Sequence, residues 1–351
     1  MSQANIKKRK VDRDEQDEWY FGSYSDVSIH EEMIADTVRT DSYRKAIFNN
    51  KDEIEGKVVL DVGAGTGVLS VFCAQAGARK VYAVEASSIA DQAVKIIRQN
   101  KLEDKVEVIK GALEQVELPE QVDVIVSEWM GYALLHESML NSVIFARDRW
   151  LRPGGLMLPS KAEIFITPIS DILVEERLSF WSTVKSQYGV DMSCMMDFAR
   201  KCILSSPEIN IKPVSVEDVL SHPAKFAEID LTTVTTNQLS NVTGCFRVLS
   251  FGSAGLSAFC IFFTVTFPGL RPLVLSTSPF KPETHWKQAV LYLDQHVYVN
   301  QDTVVEGEVK MYPSEESPRH ICIHVDYTIG DKKKRSKTFS ISDGYTNPEH
   351  H

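Results

Sequence analysis

Glu128 and Glu137 are two carboxylates nine residues apart, set among Trp129, Met130, Tyr132, Leu134, Leu135 and Met139. Apolar and aromatic neighbours at that density bury a loop, so both acids are expected to be withdrawn from water and not simply solvated. A buried carboxylate pair can serve as a general acid and base, as a metal clamp or as a cation trap. The metal reading lacks the His and Asp partners of the usual clusters. The trap suits a guanidinium, which is planar, permanently charged and matches carboxylates bidentately. Guanidinium nitrogens are poor nucleophiles because their lone pairs are delocalised. Two carboxylates would draw the positive charge toward the nitrogens they bind, leaving more lone-pair density on another.

A second constellation lies upstream. Asp61-Val62-Gly63-Ala64-Gly65-Thr66-Gly67 closes one apolar run and opens another, and glycines there let backbone approach a ligand closely. A dinucleotide loop wants Gly or Ala at the sixth position counted from Gly63, for close helix packing, but this chain has Val68. Its GxGxG form resembles the first motif of class I methyltransferases. Glu85 follows Gly67 by 18 residues at the end of the next apolar run, where an acid can take both hydroxyls of a ribose. A helix-capping Glu is the plain alternative. A nicotinamide cofactor would satisfy Glu85 equally, so an oxidoreductase remains open on these residues.

The elements that must position these groups are legible as alternation. "VVLDVG", "KVYAVEA", "VEVIKG" and "VDVIVSEW" read as short buried strands. Between them lie a helix "VLSVFCAQAG" that stops at Gly77 and a helix that starts at Ser87 or Ser88. That order predicts a parallel sheet with right-handed crossovers, and ligands of such sheets bind beyond the carboxyl ends of the strands. After Pro159 the composition turns to Val, Thr, Ile and Phe runs separated by turn residues, which predicts an antiparallel barrel or sandwich. A helical patch interrupts it near 172–201, and Lys332 to Arg335 reads as a hairpin tip. The expected organisation is a polar disordered tail over 1–18, an α/β ligand-binding domain over 19–159 and a β domain over 160–351.

Composition bounds the function classes. The 351 residues are 43% hydrophobic and 25% charged, ordinary for a soluble protein, and no stretch is long and apolar enough to span a membrane. A formal charge of −10 argues against nucleic-acid binding and suits a basic polypeptide partner. Six scattered cysteines suggest free thiols in a reducing compartment and no zinc site. The run Lys7-Lys8-Arg9-Lys10 could be read by nuclear import factors, which makes a nuclear location, with a cytoplasmic one beside it, the expectation; a solvated charged tail is the plain reading.

The stretch "SEWMGYALLHESM" resembles the double-glutamate loop of the protein arginine methyltransferase family. "DVGAGTG" is similar to its first motif, "YFGSYSDVSIHEEMIADTVRTDSYR" to its cofactor-covering N-terminal helices, and Thr284-His285-Trp286 to its Thr-His-Trp loop. The similarity runs from Trp19 nearly to the end of the chain. It implies a class I (Rossmann-like) methyltransferase domain followed by an antiparallel β-barrel, with a helical dimerisation arm near 172–205 and a homodimer. It also implies S-adenosylmethionine as cofactor, S-adenosylhomocysteine as product and no metal, with histone tails and Gly/Arg-rich proteins as substrates.

Carried over by matching positions, the resemblance assigns Arg39 to the cofactor carboxylate and Glu85 to its ribose. Gly63 goes to close approach of the methionine moiety, and Glu114 and the backbone near Leu113 to the adenine. Glu128 and Glu137 would hold the substrate guanidinium. His285, paired with Asp36 and next to Trp286, would be a candidate proton acceptor. Tyr20 and Tyr24 would close over the site, with His30 in the polar network. Met33 and Met139 match the asymmetric-dimethylating (type I) branch. For each there is a bland alternative: Arg39 as a surface ion pair, His285 as a satisfied core histidine, the tyrosines and methionines as packing. A catalytically silent homologue that sequesters arginine-rich proteins is the rival from outside enzymology. The linker after Ser205, up to Gly244, carries no recognisable motif.

Overall fold

The computed structural model describes residues 13–341. The described residues open on helix α1 (Arg13–Ser23), so the expectation of disorder through residue 18 fails over 13–18. The reason is distant: Gln16 and Asp17 find partners on Ser317 and Arg319, which local composition does not reveal. The basic run Lys7 to Lys10 lies outside the described residues. Helices α2 (Val27–Ala35), α3 (Thr37–Asn49) and α4 (Lys51–Ile54) follow. Asp26 caps α2 through the amide of Ser28, and Asp36 caps α3 through the amide of Arg39. Short carboxylates suit these places because the first amides of a helix have no internal acceptor.

The α/β layer then runs β1 (Val58–Val62), α5 (Val68–Gln75), β2 (Lys80–Glu85), α6 (Ala90–Gln99), β3 (Val106–Lys110), β4 (Val122–Val126), α7 (Leu140–Trp150) and β5 (Leu151–Leu158). The strands pair in parallel in the order β3-β2-β1-β4-β5. Every residue of β1 is buried, as a parallel strand covered on both faces requires. Helix α6 begins at Ala90, later than Ser87 or Ser88; those serines sit in a turn, and the Ser87 amide is taken by Glu85. The strand order reverses between β1 and β4. That switch point puts the glycine loop after β1 beside the glutamate loop after β4, in the crevice where ligands of such sheets bind.

From Lys161 the chain is antiparallel. One sheet holds β6 (Lys161–Ile169), β7 (Asn210–Lys212), β8 (Ala224–Asp230), β10 (Ala254–Phe267), β11 (Leu273–Ser276) and β12 (Gln288–Val299). The other holds β9 (Val242–Leu249), β13 (Val304–Pro313), β14 (Ile321–Ile329) and β15 (Arg335–Ser340). Phe259 of β10 meets Phe246 and Tyr327 edge-on across the interior, both at 5.5 Å between ring centres. A bridge between Glu208 and Ser340 closes one side of the barrel. Helices α8 (Ile172–Tyr188) and α9 (Met195–Leu204) leave it as an arm whose root packs Val174, Leu178, Ala199 and Leu204 on the outward face of β10. This explains why β10 is buried almost throughout while β14 alternates. The stretch from Ser205 to Gly244 forms β7, β8, the short helix α10 (Thr236–Leu239), with a Thr235–Gln238 capping box, and the start of β9. Lys332 to Lys334 form the tip between β14 and β15, and Arg335, expected in that tip, opens β15.

Candidate active site

The crevice opens into a cavity of about 730 Å³ lined by residues of α1, α2, the glycine loop, the end of β2, the glutamate loop, the Thr-His-Trp turn and the loop between β13 and β14. Its glycine wall fits a ligand laid on the backbone. Gly63 has φ +70°, and a Cβ there would run into the thioether of Met139. At the end of β2, Glu85 accepts from the amides of Gly65 and Ser87 at 2.8 and 2.7 Å, so its carboxylate is fixed and buried yet still borders the cavity. Leu113 and Glu114 form a one-turn 3-10 helix on the rim, where Glu114 accepts from the Ser142 hydroxyl at 2.7 Å. A fixed acid, a backbone cradle and an arginine in one crevice are the donor and acceptor set that a nucleoside bearing an amino-acid tail needs.

The glutamate loop is strained where it matters. Ala133, Leu134, Glu137 and Ser138 all hold positive φ, between +48° and +76°. Such residues persist only when their surroundings over-determine them, and they concentrate at functional sites. Gly131 is required here, since a Cβ would strike the His136 carbonyl. Trp286 donates its indole N–H to the Met130 carbonyl at 2.7 Å, and Tyr43 donates to the Ser127 carbonyl at 2.8 Å.

The two glutamates are held differently. Glu128 takes a fork from Arg39, with Nε and Nη2 both 3.0 Å from Oε2, while Arg39 Nη1 reaches the Met33 carbonyl at 3.2 Å. Arg39 thus uses three of its five N–H groups inside the protein, and it borders the cavity with the rest. Glu137 accepts from the Tyr24 hydroxyl at 2.7 Å. Burial raises the Glu137 pKa; Tyr24 and Tyr20 oppose that, Glu128 adds to it, and the net shift is upward. Both tyrosines are pushed well above their ordinary value, by burial first and then by Glu137, so they stay protonated as donors. His136, between the two acids in sequence, is driven down to about 3 by burial and then by His320, and is therefore neutral.

His285 donates or accepts through Nδ1 at 2.7 Å from Asp36, whose carboxylate also takes the His285 amide at 3.0 Å. Burial works against the Asp36 charge, but the bonds from His285 and Arg39 outweigh it and hold the carboxyl below its ordinary range. Of the residues singled out from sequence, Tyr20, Tyr24, Met33, Arg39, Gly63, Glu85, Glu114, Glu128, Glu137, Met139, His285 and Trp286 line one cavity. Asp36 and His30 stand behind that wall. Asp36 supports His285, and His30 lies under Gly65 with Nε2 2.9 Å from the Tyr24 carbonyl. Sequence reasoning misses Gln16, Asp17, Ser317 and Arg319, which join α1 to the barrel.

Comparison with known proteins follows the same outline. A methyltransferase domain matches residues 59–155, and the arginine methyltransferase oligomerization subdomain matches residues 160–332. Protein arginine N-methyltransferase 6 of Danio rerio is 71% identical, over 98% of this chain and 99% of its own length. Its namesake in Xenopus tropicalis is 55% identical over 96% of this chain and 99% of its own. The Trypanosoma brucei PRMT1 enzyme–prozyme heterotetrameric complex with AdoHcy has a TM-score of 0.82 at 35% identity, over 91% of this chain and 100% of that one. The segments "SDVSIHEEMIAD", "YGVDMSC" and "PLVLSTSPF" carry a likeness to the family's sixth member, in keeping with the names of the first two relatives. The chain belongs to the protein arginine N-methyltransferase family, enzymes that methylate arginine side chains at the expense of S-adenosylmethionine.

Proposed function

We propose that this methyltransferase acts on arginines in basic protein segments such as histone tails and Gly/Arg-rich proteins, giving monomethyl and then asymmetric dimethylarginine. The observation that carries the reading is the meeting of Glu128 and Glu137 in one buried cavity, each braced by a different donor set. Glu32, Glu208 and Glu316 also line that cavity, which suits a basic chain entering it.

Arg39, Glu85, Glu114 and the backbone at Gly63 are the residues that would hold S-adenosylmethionine. That cofactor supplies a methyl group made electrophilic by its sulfonium. The protein's part is to bring a weak nucleophile into line and shield it from water. Glu128 keeps one carboxylate oxygen away from Arg39, and Glu137 has lone pairs beyond its Tyr24 bond, so each acid can take N–H groups of a guanidinium fork. Bound this way, the guanidinium carries its positive charge toward the carboxylates, and its remaining nitrogen regains lone-pair density. In-line positioning and preorganised charge are the two largest contributions such a site makes. With Nδ1–H on Asp36, His285 presents Nε2 as the acceptor for the proton that the methylated nitrogen releases.

Met33 and Met139 border the cavity as flexible thioethers, which supports room for a second methyl on the same nitrogen. Exposed Phe180, Tyr188 and Phe198 on the arm support a homodimer. The run Lys7 to Lys10 supports a nuclear location. Mass spectrometry of a histone mixture incubated with enzyme and cofactor tests the substrate and product together. Asymmetric dimethylarginine on histone tails is expected; symmetric product or methyl-lysine would overturn the proposal.

A further inference from the structure

Helix α1 borders the cavity with Gln16, Trp19, Tyr20 and Phe21, yet little apolar burial holds it there. Five of its eleven residues are charged and Trp19 is 56% exposed. What fastens it is the loop between β13 and β14, above all Arg319. The Arg319 Nε lies 2.8 Å from Asp17 Oδ1, and its guanidinium carbon lies 3.9 Å from the centre of the Tyr20 ring. The same guanidinium sends Nη1 to the Glu137 carbonyl at 2.9 Å, and the Arg319 carbonyl accepts the Glu137 amide at 2.6 Å. Both main-chain polar groups of Glu137 therefore end on one residue, and Glu137 is the residue at φ +76°. A planar fork can serve Asp17, Tyr20 and Glu137 together in a way that an ammonium cannot.

We propose that Arg319 is a positioning residue that couples closure of α1 over the cofactor cavity to the setting of Glu137. The Asp17–Arg319 ion pair is the latch, and the bond from Nη1 to the Glu137 carbonyl is the clamp. The clamp rests on the reading of Glu137 as a holder of the substrate guanidinium. The latch does not, because it acts on α1 alone. A partly exposed ion pair is weak, so α1 stays free to open for exchange of cofactor and product.

Steady-state kinetics of the full chain with an arginine peptide separate the two parts. Asp17→Asn opens the latch: the KM for S-adenosylmethionine is expected to rise about three- to tenfold, with kcat within about twofold. Hydrogen exchange over 13–23 should quicken in the same variant. Arg319→Lys loses the fork that serves both ends at once: kcat is expected to fall about tenfold and the cofactor KM to rise at least as far as in Asp17→Asn. If both variants lower kcat by one common factor at constant KM, Arg319 is only a structural support and the coupling is wrong. Glu137→Gln runs beside them as the control. If it is inactive while Arg319→Lys turns over normally, the clamp alone is overturned. If Glu137→Gln itself keeps full kcat, the guanidinium reading of Glu137 fails and takes the clamp with it, and the latch still stands or falls on Asp17→Asn.

Discussion

Glu137 works against its own surroundings. Burial and the neighbouring Glu128 favour its neutral form, and the hydroxyls of Tyr24 and Tyr20 recover part of the loss. Its pKa stands above the ordinary glutamate range, so on acidification it loses its charge earlier than a solvated glutamate would. A trap for guanidinium needs that charge, and kcat/KM should therefore fall on the acid side with the titration of Glu137. Tyr24→Phe removes the strongest opposing bond: the acid limb should move to higher pH, and kcat/KM at neutral pH should drop about tenfold. A limb that stays in place would assign it to another group. Met33 is tested by product analysis. Met33→Phe puts a rigid ring where a flexible thioether borders the cavity, and the ratio of monomethyl to dimethyl product should rise about tenfold. An unchanged ratio would remove Met33 from control of the product.

At the level of elements, one carboxylate joins a helix end to His285 on the cavity wall. Asp36 Oδ1 caps α3 through the Arg39 amide, and Oδ2 holds the main-chain amide and the ring Nδ1 of His285. Asn is as good a cap as Asp but does not accept from the imidazole as a carboxylate does. Asp36→Asn should thus keep the cap and lose less melting temperature than Asp36→Ala, while lowering kcat about tenfold or more. Asp36→Ala should lose activity and also about 1 kcal/mol of stability, a fall of roughly 2–4 °C. Equal melting temperatures in the two variants would deny the cap. The glycine loop gives a second test. Gly63→Ala places a methyl against Met139 on a left-handed backbone, so cofactor affinity measured by calorimetry should weaken about tenfold. These elements were legible because their signals are local. Strand-turn-helix alternation places Gly63 and Glu85, and a dense apolar setting marks the loop of Glu128 and Glu137. The sequence places the start of α6 too early because Ser87 gives its amide to Glu85 and caps no helix.

Across the whole molecule, legibility falls with separation along the chain. Arg319 meets Glu137 across 182 residues and Asp17 across 302, and no periodicity or motif encodes either meeting. The segment "DRDEQDE" therefore reads as a solvated tail, although Gln16 and Asp17 near its end are fastened to the barrel. The same scale governs assembly. Phe180, Tyr188, Val190 and Phe198 are between 49% and 69% exposed on the arm, more apolar surface than an isolated helix pair leaves in water without a partner. Sedimentation should give twice the chain mass, and Phe198→Asp together with Phe180→Asp should give monomers. A wild-type monomer would contradict the proposed homodimer.

In the proposed mechanism Glu128 acts on the substrate and not on the cofactor. Methyl transfer to an arginine peptide by Glu128→Gln, with S-adenosylmethionine affinity measured on the same sample, tests it most directly. Cofactor binding is expected within a few-fold of the parent and transfer reduced about a hundredfold or more. Turnover at the parent rate in that variant would contradict it.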